Sequence, residues 1–71
     1  MQQVYLREGE SFIRLGQALK KSGIMGSGAD AKNVILDGAV TVNGEVELRR
    51  GRKLIPGDTV TYEGETFQIA T

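Results

Sequence analysis

Ala31-Lys32-Asn33-Val34-Ile35-Leu36-Asp37-Gly38-Ala39-Val40-Thr41-Val42-Asn43-Gly44-Glu45-Val46-Glu47-Leu48 changes its period once, at Gly38, and that change decides the fold. Before Gly38, Ala31, Val34 and Ile35 recur at helical spacing. Gly38 stands where a left-handed C-terminal cap belongs. After it the period falls to two: Val40-Thr41-Val42 and Glu45-Val46-Glu47-Leu48 alternate on either side of Asn43-Gly44, the strongest two-residue hairpin signal. A helix therefore runs directly into an antiparallel hairpin.

Working outward, Pro56-Gly57-Asp58 marks a turn, and Thr59-Val60-Thr61-Tyr62, Glu63-Gly64 and Glu65-Thr66-Phe67-Gln68-Ile69 read as a second hairpin. On the N-terminal side Leu15, Ala18, Leu19 and Ser22 give a first short helix with one apolar or small face, capped at Gly23. Ile24-Met25-Gly26 connects it to Ser27-Gly28-Ala29-Asp30, a capping box that opens the second helix. Val4-Tyr5-Leu6 is a candidate N-terminal strand. Helices this short do not hold alone and must pack on each other or on a sheet. The expected fold is α+β, two short helices packed on a small twisted antiparallel sheet, in a single domain over residues 1–71.

Composition removes most catalytic chemistry. The chain has 71 residues with no cysteine and no histidine, so thiolate nucleophiles, disulfides and the commonest general base and metal ligand are missing together. A domain this size buries only about 60% of its unfolded surface, which suits a binding surface better than a deep cleft. The carboxylates show no pair placed for acid–base work and no ligand-like spacing. The expectation is a protein that is not an enzyme and carries no metal or cofactor. No stretch approaches a membrane span. Met1-Gln2-Gln3-Val4-Tyr5-Leu6 lacks the basic and apolar regions of a signal peptide. A soluble, cytoplasmic monomer is expected.

Nine Lys and Arg balance nine Asp and Glu, yet four of the nine cations fall in five positions, Arg49, Arg50, Arg52 and Lys53. A phosphate backbone feels charge within about one Debye length, roughly 8 Å at physiological salt, so local charge outweighs the neutral total. Residues 14–32 hold Arg14, Lys20, Lys21 and Lys32 against the single acid Asp30. The other acids lie apart, at Glu8 and Glu10, at Asp37, Glu45 and Glu47, and at Asp58, Glu63 and Glu65. This sorting predicts one positive face. If the first helix includes Arg14, then Arg14, Gln17 and Lys21 form one stripe, and Lys32 lies at the edge of the second helix's buried face. Ser27 with the amides of Gly28 and Ala29 would add an anion-binding helix N-terminus. Each part also has a plainer reading. Lys20 and Lys21 complement a helix dipole, Ser27 caps, and Tyr5, Phe12, Tyr62 and Phe67 serve the core or a sheet face. Four mutually repelling cations in one loop resist such a reading.

Ile13-Arg14-Leu15-Gly16-Gln17-Ala18-Leu19, Ser27-Gly28-Ala29-Asp30-Ala31-Lys32, Gly38-Ala39-Val40-Thr41-Val42-Asn43-Gly44 and Pro56-Gly57-Asp58, in that order and spacing, resemble the S4 RNA-binding domain. The closest likeness is to the small stand-alone bacterial S4-like proteins, and it covers about residues 13–69. The resemblance implies two helices and a following loop forming an L-shaped surface that holds folded RNA by its phosphates. Carried over by position, Arg14 matches the arginine opening the first helix, Ser27 the serine opening the second, Lys32 the basic residue after its alanine, and Lys53 the basic residue before the Pro-Gly-Asp turn. Many family members have an arginine where this chain has Gly28 and an acid where it has Gly16. Arg49, Arg50 and Arg52 are expected to cover for the first of these from the facing loop.

The expected function is binding of structured RNA, ribosomal or transfer RNA, through its phosphate backbone and in association with the ribosome, with Arg14, Lys20, Lys21, Ser27, Lys32, Arg49, Arg50, Arg52 and Lys53 as the binding residues. Such recognition reads phosphates and 2′-hydroxyls because A-form RNA hides its major-groove edges. The alternative is a small β-grasp-like module that docks on another protein, since Val42-Asn43-Gly44-Glu45 followed by Pro56-Gly57-Asp58 also occurs there. The sulfur-carrier form of that module needs a terminal Gly-Gly, where this chain has Gln68-Ile69-Ala70-Thr71.

Overall fold

Both hairpins form where turn chemistry places them. In the computed structural model, which describes residues 1–25 and 28–71 (positions 28 and 29 by backbone alone), β3 (Val40–Val42) pairs with β4 (Glu45–Val46) across Asn43 and Gly44. β6 (Thr59–Tyr62) pairs with β7 (Glu65–Ala70) across Glu63 and Gly64. The central φ values are 52° and 87° in the first turn and 48° and 78° in the second. Left-handed backbone at both central residues defines the type I′ turn, whose twist matches that of the strands it joins. Asn43 also ties the first hairpin to the 56–58 turn. Its side-chain oxygen accepts from the Thr59 N–H at 2.9 Å, and its amide donates to Asp58 at 3.0 Å.

β3 also pairs antiparallel with β6, with Val42 opposite Val60, and the five-stranded sheet runs β1-β7-β6-β3-β4. Its edge departs from the antiparallel expectation. β1 (Gln2–Tyr5) lies parallel to β7, from Gln2 opposite Phe67 to Tyr5 opposite Ala70. Short turns announce only antiparallel neighbours, whereas a parallel pair needs a long crossover, here most of the chain.

Val4, Val40, Val42, Val60, Phe67 and Ile69 turn one sheet face into the core. α1 (Leu15–Lys21) buries Leu15, Gly16, Ala18 and Leu19 against it, and α2 (Gly28–Leu36) contributes Ala31 and Ile35. A second, two-stranded ribbon joins β2 (Ile13–Arg14) to β5 (Lys53–Leu54), with Ile13 and Leu54 buried beneath it. Two-residue strands carry no readable period, so the sequence gives no sign of this ribbon.

Two local expectations are corrected. Arg14 lies in β2 and precedes α1 with extended backbone, φ −82° and ψ 148°, so it is the residue before the helix and not its first turn. The strand expected through Leu48 ends at Val46, and the alternation beyond it is inverted. Val46 and Leu48 are 59% and 53% exposed, while Glu47 is only 7% exposed. The Ser27 cap lies outside the described residues.

Candidate nucleic-acid interface

The loop 49–53 is built onto the start of α1. A helix leaves its first amides without intrahelical partners, and Arg14 supplies no side-chain cap. The loop fills the gap: Leu15 N–H donates to the Arg52 carbonyl at 2.9 Å and Gly16 N–H to the Arg50 carbonyl at 3.0 Å. The Arg14 guanidinium donates to the Gly51 carbonyl at 2.8 Å. Gly16 permits this approach, because a Cβ there would stand 2.7 Å from Arg50 Cγ and 3.2 Å from its Cδ. A larger side chain at position 16 would have to displace that of Arg50.

Glu47 holds the other side of the loop. Its carboxylate accepts from the Arg49 backbone N–H and Nε at 3.1 Å each, from Arg49 Nη2 at 3.0 Å and from Arg52 Nη1 at 3.0 Å. The Arg49 side chain is 76% exposed and that of Arg52 31%. Hydrogen bonding from Arg49 lowers the Glu47 carboxyl to about 2, against the opposing effect of desolvation and with further help from Arg52. This corrects the sorting of charge read from the sequence. One of the acids placed apart from the basic run sits inside it, and two of the four loop cations share that acid.

Arg14 and Lys53 stand close together with no ion pair among the described residues. They are directly opposite in the β2–β5 register. Like charges in that position destabilise a ladder. Both lie over the Phe12 ring, Lys53 Nζ at 4.8 Å and Arg14 Cζ at 5.5 Å from its centre. Each such contact contributes about 0.5–1 kcal/mol at an exposed site, which offsets part of the repulsion. Phe12 therefore supports cations, a role the core-or-sheet reading did not include.

Three shallow depressions adjoin one another across the exposed face of α1. The first is lined by Arg14, Arg49, Gly51, Arg52 and Lys53. Arg14 and Gly51 are shared with the second, which adds Gly16, Gln17, Lys20 and Arg50. Gln17 and Lys20 are shared with the third, which adds Arg7, Glu10, Ile13 and Lys21. Eight of the nine Lys and Arg residues line this track, with Glu10 and Glu47 the acids beside it. Of the residues expected at the site, Arg14, Lys20, Lys21, Arg49, Arg50, Arg52 and Lys53 come together here. Lys32 is exposed on α2 and lines none of the three depressions. Ser27, and with it the expected anion site at the second helix N-terminus, lies outside the described residues. Sequence reading missed Arg7, a lone cation eight positions before the start of α1. It also missed Glu47, although an acid two positions before Arg49 would share a face with it on a strand.

The order of these elements and the basic loop laid on the first helix belong to a known family: the family model described as S4 domain matches residues 4–70, and the chain belongs to that family. Its relatives are small bacterial proteins of similar length. YbcJ of Escherichia coli is 40% identical over 57 residues, covering 80% of this chain and 81% of YbcJ. A Bacillus subtilis protein named "Probable ribosome maturation protein RlbA" is 47% identical over 58 residues, covering 80% of this chain and 82% of the relative. The solution structure of YbcJ, described as revealing an αL motif involved in RNA binding, matches all of this chain and 89% of its own with a TM-score of 0.73 at 35% identity.

Proposed function

We propose that this chain binds structured RNA, ribosomal or transfer RNA, through the phosphate backbone, using the groove between α1 and the loop 49–53, as a non-catalytic, ribosome-associated cytoplasmic protein. The observation that carries the reading is the meeting of Arg14, Lys20, Arg50 and Lys53 from three separate elements with no carboxylate between them among the described residues. Such a cluster is held against its own repulsion and is relieved by a polyanion. Relatives named for RNA binding and ribosome maturation support the same direction.

Phosphate contacts position a protein on RNA without reading sequence, and among the described residues no aromatic side chain lines the three depressions. With ~4 phosphates neutralised, log affinity falls against log salt with a slope of about −3. Replacing Arg49, Arg50, Arg52 and Lys53 together by glutamine is expected to weaken binding to many unrelated RNAs by more than any loss of folded fraction. Circular dichroism reads that fraction, because Glu47 then loses both arginine partners. Binding that ignores salt, or that survives the fourfold replacement, rules the reading out. Docking on a protein is the second reading, favoured by the exposure of Val46 and Leu48 beside Gly38. Under it, association with ribosomal particles persists after nuclease treatment.

A further inference from the structure

The third depression sets Arg7, a cation that neither the sequence nor the family resemblance assigns, beside the expected Lys20 and Lys21. It opens between α1 and the turn after β1, and Arg7, Lys20 and Lys21 line it. The turn holds Arg7 in place. Leu6 N–H donates to the Ala70 carbonyl at 2.8 Å, Arg7 N–H to Glu10 Oε1 at 2.7 Å, and Glu10 N–H to the Arg7 carbonyl at 3.0 Å. Lys21 Nζ donates to the Tyr5 carbonyl, which ties the end of α1 to the end of β1. The Glu10 carboxylate accepts from backbone, and no ion pair links it to Arg7, Lys20 or Lys21 among the described residues. Arg7, Lys20 and Lys21, on two elements joined by the Lys21–Tyr5 bond, therefore outnumber the one Glu10 carboxylate at an open depression.

That depression is continuous with the groove already described, because Gln17 and Lys20 line both. We infer that the polyanion track runs the length of α1, from Lys53 past Arg14, Arg50 and Lys20 to a further phosphate site at Arg7. This rests on the RNA reading above and lengthens it. An RNA backbone on this track spans from the β2–β5 ribbon to the N-terminal turn.

The test compares Arg7→Gln and Arg7→Lys in the full chain, using fluorescence anisotropy with a labelled RNA hairpin and with purified ribosomal RNA across a salt series. Arg7→Gln is expected to weaken binding about fivefold and to make the salt slope shallower by about 0.7–0.9, the change for one lost phosphate contact. Arg7→Lys keeps the charge and is expected to stay within about twofold of wild type. Urea unfolding should be unaltered in Arg7→Gln, since only the backbone of Arg7 is bonded within the turn. Wild-type binding left unchanged by Arg7→Gln overturns the inference alone. A wild-type chain without salt-dependent RNA affinity overturns the RNA reading and this inference together.

Discussion

The β6–β7 hairpin and the loop 47–53 are each a few residues of connection, and they are held in opposite ways. The hairpin is fixed by its neighbours: two left-handed turn residues, a ladder from Thr59 opposite Gln68 to Tyr62 opposite Glu65, and Phe67 fully buried beneath it. The loop has little of its own. Its shape is set by a carboxylate two residues before Arg49, by the first amides of α1, and by an arginine 37 positions away. The contrast explains where charge can be tolerated. A self-sufficient hairpin spends its side chains on the core. The loop, pinned through its backbone and through the Arg49 and Arg52 bonds to Glu47, leaves Arg50 and Lys53 outside any ion pair among the described residues.

The largest expected effect breaks the hairpin side of this comparison. Phe67→Ala removes a side chain with no exposure and is expected to cost about 3–5 kcal/mol in urea unfolding. That is a large part of the stability of a domain this small, and RNA affinity should fall only as far as the folded fraction falls.

Glu47→Gln tests the other side. Two arginines then keep a neutral partner with one accepting oxygen, and a loss of about 1–2 kcal/mol is expected. The pH dependence carries the signature. The Glu47 carboxyl is lowered in the folded chain from 4.5 to about 2. Its contribution is therefore complete above about pH 4.5, and it is lost as the pH falls through that value toward 2. Urea midpoints measured down the pH scale should show this loss in wild type and a smaller one in Glu47→Gln. Equal slopes in the two proteins would mean that the triad does not hold the loop.

The smallest effect on stability should have a clear effect on binding. Gly16→Ala gains helix propensity, at most about 1 kcal/mol, but its Cβ meets Arg50 Cγ at 2.7 Å and must displace that side chain. Stability is expected to stay within about 1 kcal/mol of wild type while RNA affinity drops several-fold. Unchanged affinity would remove Arg50 from the site.

The same contrast governs what the sequence reveals. Asn43-Gly44, Glu63-Gly64 and the helical spacing of Leu15, Ala18 and Leu19 are local signals, and the elements they specify are all present. The parallel β1–β7 edge and the β2–β5 ribbon join residues far apart in the chain, with no turn between them to announce the pairing. At the site, Arg49, Arg50, Arg52 and Lys53 are legible because they are neighbours. Arg7 is not, since its proximity to Lys20 depends on where β1 ends. Glu47 is hidden for a different reason: an acid between Val46 and Leu48 reads as the wet face of a strand, and here the strand has already stopped.

The register that sets Arg14 opposite Lys53 over Phe12 has a thermodynamic consequence of its own. A repulsion built into the native state is absent from the unfolded chain, and an anion seated between the two cations binds the native state alone. By mass action such a ligand raises the melting temperature in proportion to the logarithm of its concentration. Under the proposed function, the chain without its polyanion is less stable than its packing would allow and recovers that margin on binding. Folding and binding would then be one equilibrium, set by two side chains that otherwise push apart.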